Sequence, residues 1–154
     1  MKSLLALLVF AGLNASALEI KDITGKYAVG SGCDMSVSPK RVYITQKSFK
    51  DTGKPYIEAY FYGEDATFAE IPLTSGTKEI LGSDGRKWSQ ITTVENKADS
   101  LVSTAVLFNG NKSSSQTSVA SLKKQSGFLV YESYTVNAQG KKILSDYCPL
   151  YKAN

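Results

Sequence analysis

The sequence predicts an all-β protein: an antiparallel meander of about eight to ten strands, closed into a small barrel, with a two-sheet β-sandwich as the alternative. Three observations predict it. Beyond residue 17 no stretch keeps a helical i, i+3, i+4 apolar pattern for three turns. Short runs with period two dominate instead, and turn residues interrupt them about every ten residues. Short connections favour antiparallel neighbours, and closing such a meander hides its edges.

The elements follow in chain order. Residues 1 to 17 read as a cleavable signal peptide. Met1-Lys2 is the positive start, Leu4 to Ala11 the apolar run, and Ala15-Ser16-Ala17 the small-residue cleavage site. The run is too short to span a bilayer, which takes about 20 apolar residues, and no later segment is apolar enough. No cysteine follows the cleavage site to carry a lipid. The mature protein is therefore expected to begin at Leu18 and form one domain over residues 18–154, outside the cytoplasm, periplasmic or secreted. The short leader with its single Lys2 reads as bacterial.

Ile23 to Val29 is the first expected strand, ended by Gly30-Ser31-Gly32. Met35 to Val37 and Val42 to Gln46 read as strand on either side of Pro39. Tyr56 to Tyr62 alternates most clearly: Ile57, Ala59 and Phe61 on one face, Tyr56, Glu58, Tyr60 and Tyr62 on the other. Thr67 to Leu73, Glu79 to Leu81 and Lys87 to Glu95 follow, with a tight connection at Gly82-Ser83-Asp84-Gly85. Leu101 to Phe108 leads into Asn109-Gly110, a pair suited to a type I′ hairpin turn. Ser113 to Leu122 carries Ser and Thr on both faces, Phe128 to Asn137 comes next, and a last short strand is expected around Ile143-Leu144 before the Cys148 tail.

The formal charge is +4, of which Lys2 leaves with the leader. The basic residues are scattered and do not alternate with aromatics, so nucleic-acid binding is not expected. The sequence holds no histidine. That absence removes Ser-His and Cys-His nucleophile pairs, His general bases and His-ligated metal sites. No cofactor or metal motif is present. Cys33 and Cys148 are an even pair in an oxidising compartment and read as a disulfide. In a closed meander the first and last strands are neighbours, so this bond would lock the barrel seam.

Two Ser-x-x-Lys spacings occur, Ser75 to Lys78 and Ser121 to Lys124. Chance alone predicts about two in a chain this rich in both residues, so they carry no catalytic reading. Glu58 and Glu132 could in principle pair as acid and base. Glu58 is better read as solvated on the outer face. Glu132 interrupts the face of Phe128, Val130, Tyr134 and Val136, and reads as a polar spot in a lined interior. An inward carboxylate needs a tyrosine or lysine partner. Asn111-Lys112-Ser113 fits a glycosylation sequon but is also ordinary turn composition.

Ile23-Thr24-Gly25-Lys26-Tyr27, with Gly30-Ser31 and Met35 following, resembles the first strand of the avidin and lipocalin barrels, with Tyr27 where those families carry Trp. The resemblance covers that strand and its turn. It implies a barrel with a ligand-holding interior. The expected function is accordingly non-enzymatic: an exported protein holding a small apolar or amphipathic ligand, with Phe61, Trp88, Glu132 and Tyr134 as the expected ligand-binding residues. The alternative is an interaction protein, an inhibitor or envelope-associated factor, that meets a protein partner through loops or an outer tyrosine face.

Overall fold

The computed structural model describes residues 17–82, 85–109 and 115–154. Residues 1 to 16 of the expected leader, Gly110 of the expected turn and the Asn111 sequon lie outside them. The described residues form one short helix, α1 (Ile20–Ile23), and ten strands. These are β1 (Gly25–Val29), β2 (Arg41–Ser48), β3 (Pro55–Tyr62), β4 (Thr67–Pro72), β5 (Gly76–Leu81), β6 (Lys87–Asn96), β7 (Ser100–Asn109), β8 (Ser115–Gln125), β9 (Phe128–Val136) and β10 (Lys142–Lys152).

All ten belong to one antiparallel sheet, in the order β4-β3-β2-β1-β10-β9-β8-β7-β6-β5. Every strand pairs with its sequence neighbour except at one place. The first and last strands do pair, as expected, with Tyr27 opposite Lys152 and Val29 opposite Leu150. The exception is β4 and β5, consecutive in sequence but at opposite edges of the sheet. The expected closed barrel is therefore corrected to an open, curled sheet, and it is one sheet rather than the two of a sandwich. The connection explains the opening. Leu73 N–H donates to Pro55 O, which keeps that end on β3, while Ser75 Oγ accepts from Val94 N–H at 2.8 Å, which fixes the other end to β6. The curl brings β4 across to β7 and β8 instead.

One face of the sheet buries a core: Tyr27, Val42, Ile44, Ile57, Ala59, Phe61, Ile71, Leu101, Leu122, Leu129, Tyr131, Cys148 and Leu150, closed off by Leu18 and Ile23. The face expected for β3 is the one observed. Ile23 opens no strand; it ends α1, because Ile20 and Ile23 lie three apart and turn to the same core. The Tyr27 hydroxyl donates to its carbonyl at 2.8 Å. Met35 to Val37 forms no strand either; only Asp34 bridges to Tyr147.

Two further corrections concern hairpins and the last strand. Phe108 lies opposite Ser115, so residues 109 to 114 separate them and a two-residue turn at Asn109-Gly110 does not set this register. Asn109 itself continues β7 opposite Trp88. The last strand is much longer than expected and contains Cys148, because Pro149 does not end it. Its carbonyl accepts from Gly30 N–H at 2.8 Å. A residue's amide and carbonyl point to the same side of a strand, so the donor that proline lacks faces the point where β1 has ended. A Cβ at Gly30 would overlap the Tyr151 ring and press on Pro149, so any larger residue there has to displace that side chain. Cys33 and Cys148 form the disulfide, spanning 115 residues. It extends the β1–β10 seam beyond its last hydrogen bonds, beside the Asp34–Tyr147 bridge.

Candidate functional site: a hydroxyl-lined cleft

Along β6 to β9 the concave face changes character. At one end it carries Leu101, Leu122 and Tyr131, packed into the core. Two and four residues further on, the same face carries Ser103 and Ala105 on β7, Ala120 and Ser118 on β8, and Ser133 and Thr135 on β9, all in register. Strand alternation guarantees that these share the face of the leucines. Small side chains cannot reach across to the opposing layer, and the space they leave is a cleft of about 640 Å³. Gln90 and Thr92 of β6 line one side. The mouth is formed by the β2–β3 loop, with Phe49, Asp51 and Lys54, and by β4 and β5, with Glu70, Lys78 and Glu79.

The mouth is charged but mixed in sign, and Lys78 reaches Asp51 at 3.6 Å. Phe49 stacks on Tyr56 with ring centroids 4.2 Å apart, giving the rim one aromatic plate. Inside, the Ser133 hydroxyl donates to Asp146 at 2.9 Å and Gln90 donates to Thr92 at 3.2 Å. Ser103 is 5% exposed. No hydrogen bond to its hydroxyl is formed among the described residues, nor to those of Ser118 and Thr135. Ser118 is exposed and Thr135 half-buried, and no unpartnered side-chain oxygen is sealed from solvent among the described residues, so these hydroxyls are open to water or a ligand. Tyr131 precedes Ser133 on the same face of β9 and is buried in the core. Its burial pushes its hydroxyl pKa up, with the Ser133 hydrogen bond opposing.

The four expected ligand residues are not brought together. Phe61 is fully buried and packs on Tyr131 at 4.9 Å between centroids; it does not line the cleft. Trp88 is on the concave face but lines a smaller cavity of about 270 Å³, with Ile80, Leu107 and Gln116. The two cavities share Gln90, Ala105 and Ser118, so they adjoin. Tyr134 borders the large cleft, while its ring lies under Lys142 Nζ, 4.3 Å from the centroid.

Glu132 is the clear correction. The face of Phe128, Val130, Glu132, Tyr134 and Val136 is the outer one, because Leu129 and Tyr131 are in register with Leu150 and Cys148 of the core. Glu132 accepts from Lys123 at 2.7 Å and lies 3.6 Å from Lys142. The Lys123 hydrogen bond, opposed by burial and helped by Lys142, holds its carboxyl below the usual range. Glu58 is also on the outer face, paired with Lys47 at 2.6 Å. The two carboxylates share no cleft.

The Ser-x-x-Lys spacings make no dyads. Ser121 and Lys124 lie three apart in β8 and point to opposite faces, and the Ser121 hydroxyl donates to the Glu132 carbonyl at 3.5 Å; Ser75 precedes β5 and accepts from Val94 N–H, while Lys78 pairs with Asp51. Among the described residues no cluster of Cys, Asp and Glu could hold a metal ion. Of the cleft residues that matter, Ser103, Ser118, Ser133 and Thr135, only Ser118 was visible in the sequence, as part of the hydroxyl-rich patterning of β8. No protein-family model, curated protein or solved structure matches this chain.

Proposed function

We propose that this is an exported, non-enzymatic binding protein that holds a small amphipathic molecule in the cleft between β4–β5 and β6–β9. The observation that carries the reading is the cleft itself. Its volume falls within the roughly 300–1,000 Å³ of ordinary ligand sites. Its lining combines methyl groups of Ala105 and Ala120 with unpaired hydroxyls of Ser103, Ser118 and Thr135. Such a surface suits a ligand with hydroxyl or amide groups on an apolar frame better than a bare hydrocarbon chain, which would leave those hydroxyls unpaired. The fold is read here as a lipocalin-like meander opened along one seam, with the β4–β5 opening as the ligand's way in. Export is supported by the disulfide, which persists in oxidising compartments. Among the described residues no helix is long and apolar enough to cross a membrane.

The test is native mass spectrometry of protein purified from its source. The expected result is a small molecule that leaves on denaturation and whose rebinding is lost in Ser118→Leu. A ligand-free protein whose Ser103, Ser118 and Thr135 amide resonances respond to no added lipid, sugar or peptide pool would overturn the reading.

A second reading rests on the outer face of β2 to β4. Tyr43, Tyr60 and Phe68 are directly opposite one another across the three strands, and Tyr62 and Phe68 are 55% and 60% exposed. Such a row could dock a protein partner, since aromatic residues supply large contact area at low entropic cost. A Tyr62→Ser/Phe68→Ser variant separates the two: it leaves cleft binding intact and abolishes only a partner held on this face.

A further inference from the structure

The backbone amide of Leu18 is held by two acceptors. It donates to Lys97 O at 2.7 Å and to Asn96 Oδ1 at 3.0 Å. Asn96 Nδ2 donates back to Leu18 O at 3.3 Å. The Leu18 side chain is 3% exposed and belongs to the core cluster, whereas Ala17 is exposed. The receiving site is rigid: Asn96 is in register with Leu101, and Lys97 N–H donates to Ser100 O at 2.8 Å, closing the β6–β7 turn. The Lys97 ammonium does not compete, since it pairs with Glu95 at 2.9 Å.

A peptide amide carries one proton and must divide it between two acceptors. An ammonium carries three and can give one to each, and charged donors make the stronger bonds. We propose that the Asn96–Lys97 site is built for a free α-ammonium at Leu18, so that proteolytic processing between Ala17 and Leu18 completes the fold. The reaction is hydrolysis. A peptidase of the export pathway adds water across the Ala17–Leu18 amide, leaving the carboxylate on Ala17 and the protonated amine on Leu18. Cleavage precedes folding, because the folded core buries Leu18 beyond a protease's reach. The released end then folds back and staples α1 to the β6–β7 turn at the packed end of the core. The proposal rests on the reading that the protein is exported, and it goes beyond that reading by assigning the new terminus a receptor within the fold.

The experiment compares three preparations: the chain beginning at Leu18 with a free amine, the same chain acetylated at that amine, and the full chain from Met1. Acetylation restores a one-proton amide without changing any side chain. The free-amine form is expected to melt higher than both others by roughly 2–5 °C, a shift typical of about 1 kcal/mol in a domain of this size. Asn96→Asp is expected to raise the melting temperature of the free-amine form relative to the acetylated one, because only the ammonium gains from a carboxylate partner. Equal melting of free and acetylated chains would overturn the proposal, and so would an equal response of the two to Asn96→Asp. Intact mass of the exported protein reads cleavage separately. A product beginning at Leu18 with equal melting sinks the docking alone; a product retaining residues 1 to 17 sinks export as well.

Discussion

The two ends of the concave face are built from the same strands and behave as different materials. At one end, Leu101 on β7, Leu122 on β8 and Leu129 and Tyr131 on β9 fill the space between layers and are buried. Toward the β4–β5 opening, Ser103, Ser118, Ser133 and Thr135 occupy equivalent positions and leave about 640 Å³ empty. The backbone hydrogen bonding is continuous through both. What differs is side-chain volume at alternate positions. Stability thus resides at one end, and the other holds an open cleft. A fold can tolerate a large unfilled cleft if the rest of its face is close-packed and its seam is fastened.

The largest expected effect lies at the β1–β10 seam. Cys33→Ser/Cys148→Ser should destabilise the protein by an amount approaching about 4.8 kcal/mol, the chain-entropy figure for a loop this long. Denaturant unfolding without reductant measures it. An unchanged midpoint would show that the packed end holds without its fastening.

Phe61→Ala in the packed end should cost about 4 kcal/mol, the usual cost of truncating a fully buried aromatic side chain. A cost below about 1 kcal/mol would mean that this end is as loosely filled as the cleft.

Glu132 sharpens the contrast between the inner and outer faces. Its carboxyl pKa is lowered in the folded state, so its contribution is present above the unfolded carboxylate pKa and fades as pH falls through the lower folded value. Being partly exposed, the pair should be worth less than about 1 kcal/mol. Unfolding midpoints of Glu132→Gln and wild type should therefore differ near neutrality and converge in acid. Convergence at high pH instead would contradict the ion-pair account.

The smallest stability effect belongs to the open end. Ser118→Leu points into the cleft and should change stability by no more than about 0.5 kcal/mol, as for an exposed substitution, while removing ligand binding. A cost like that of Phe61→Ala would show the cleft to be packed after all.

Most of the strands were legible in the sequence because period-two patterning is local. The inward face of β3 was legible for a further reason: Ile57, Ala59 and Phe61 are apolar while Glu58 opposes them. The disulfide was legible from parity and compartment, and the β1–β10 pairing from the meander. The cleft was not. Serine and threonine at alternate positions look the same whether they face water outside or line a cavity inside.

The sequence by itself determined that this chain forms strands, where most of them turn, and that its two cysteines join its distant parts. Only the tertiary structure decided which face of β9 looks inward. Both faces are apolar, Phe128, Val130, Tyr134 and Val136 on one and Leu129 and Tyr131 on the other, so the pattern alone is ambiguous. Register against β10 settled it, by placing Tyr131 opposite Cys148 and Leu129 opposite Leu150. A single-residue shift would exchange the two faces, so Glu132 and Tyr134 went outward with their strand. The opening between β4 and β5 was likewise decided by long-range bonds, Leu73 to Pro55 and Val94 to Ser75, that tie the ends of one short connection to different strands.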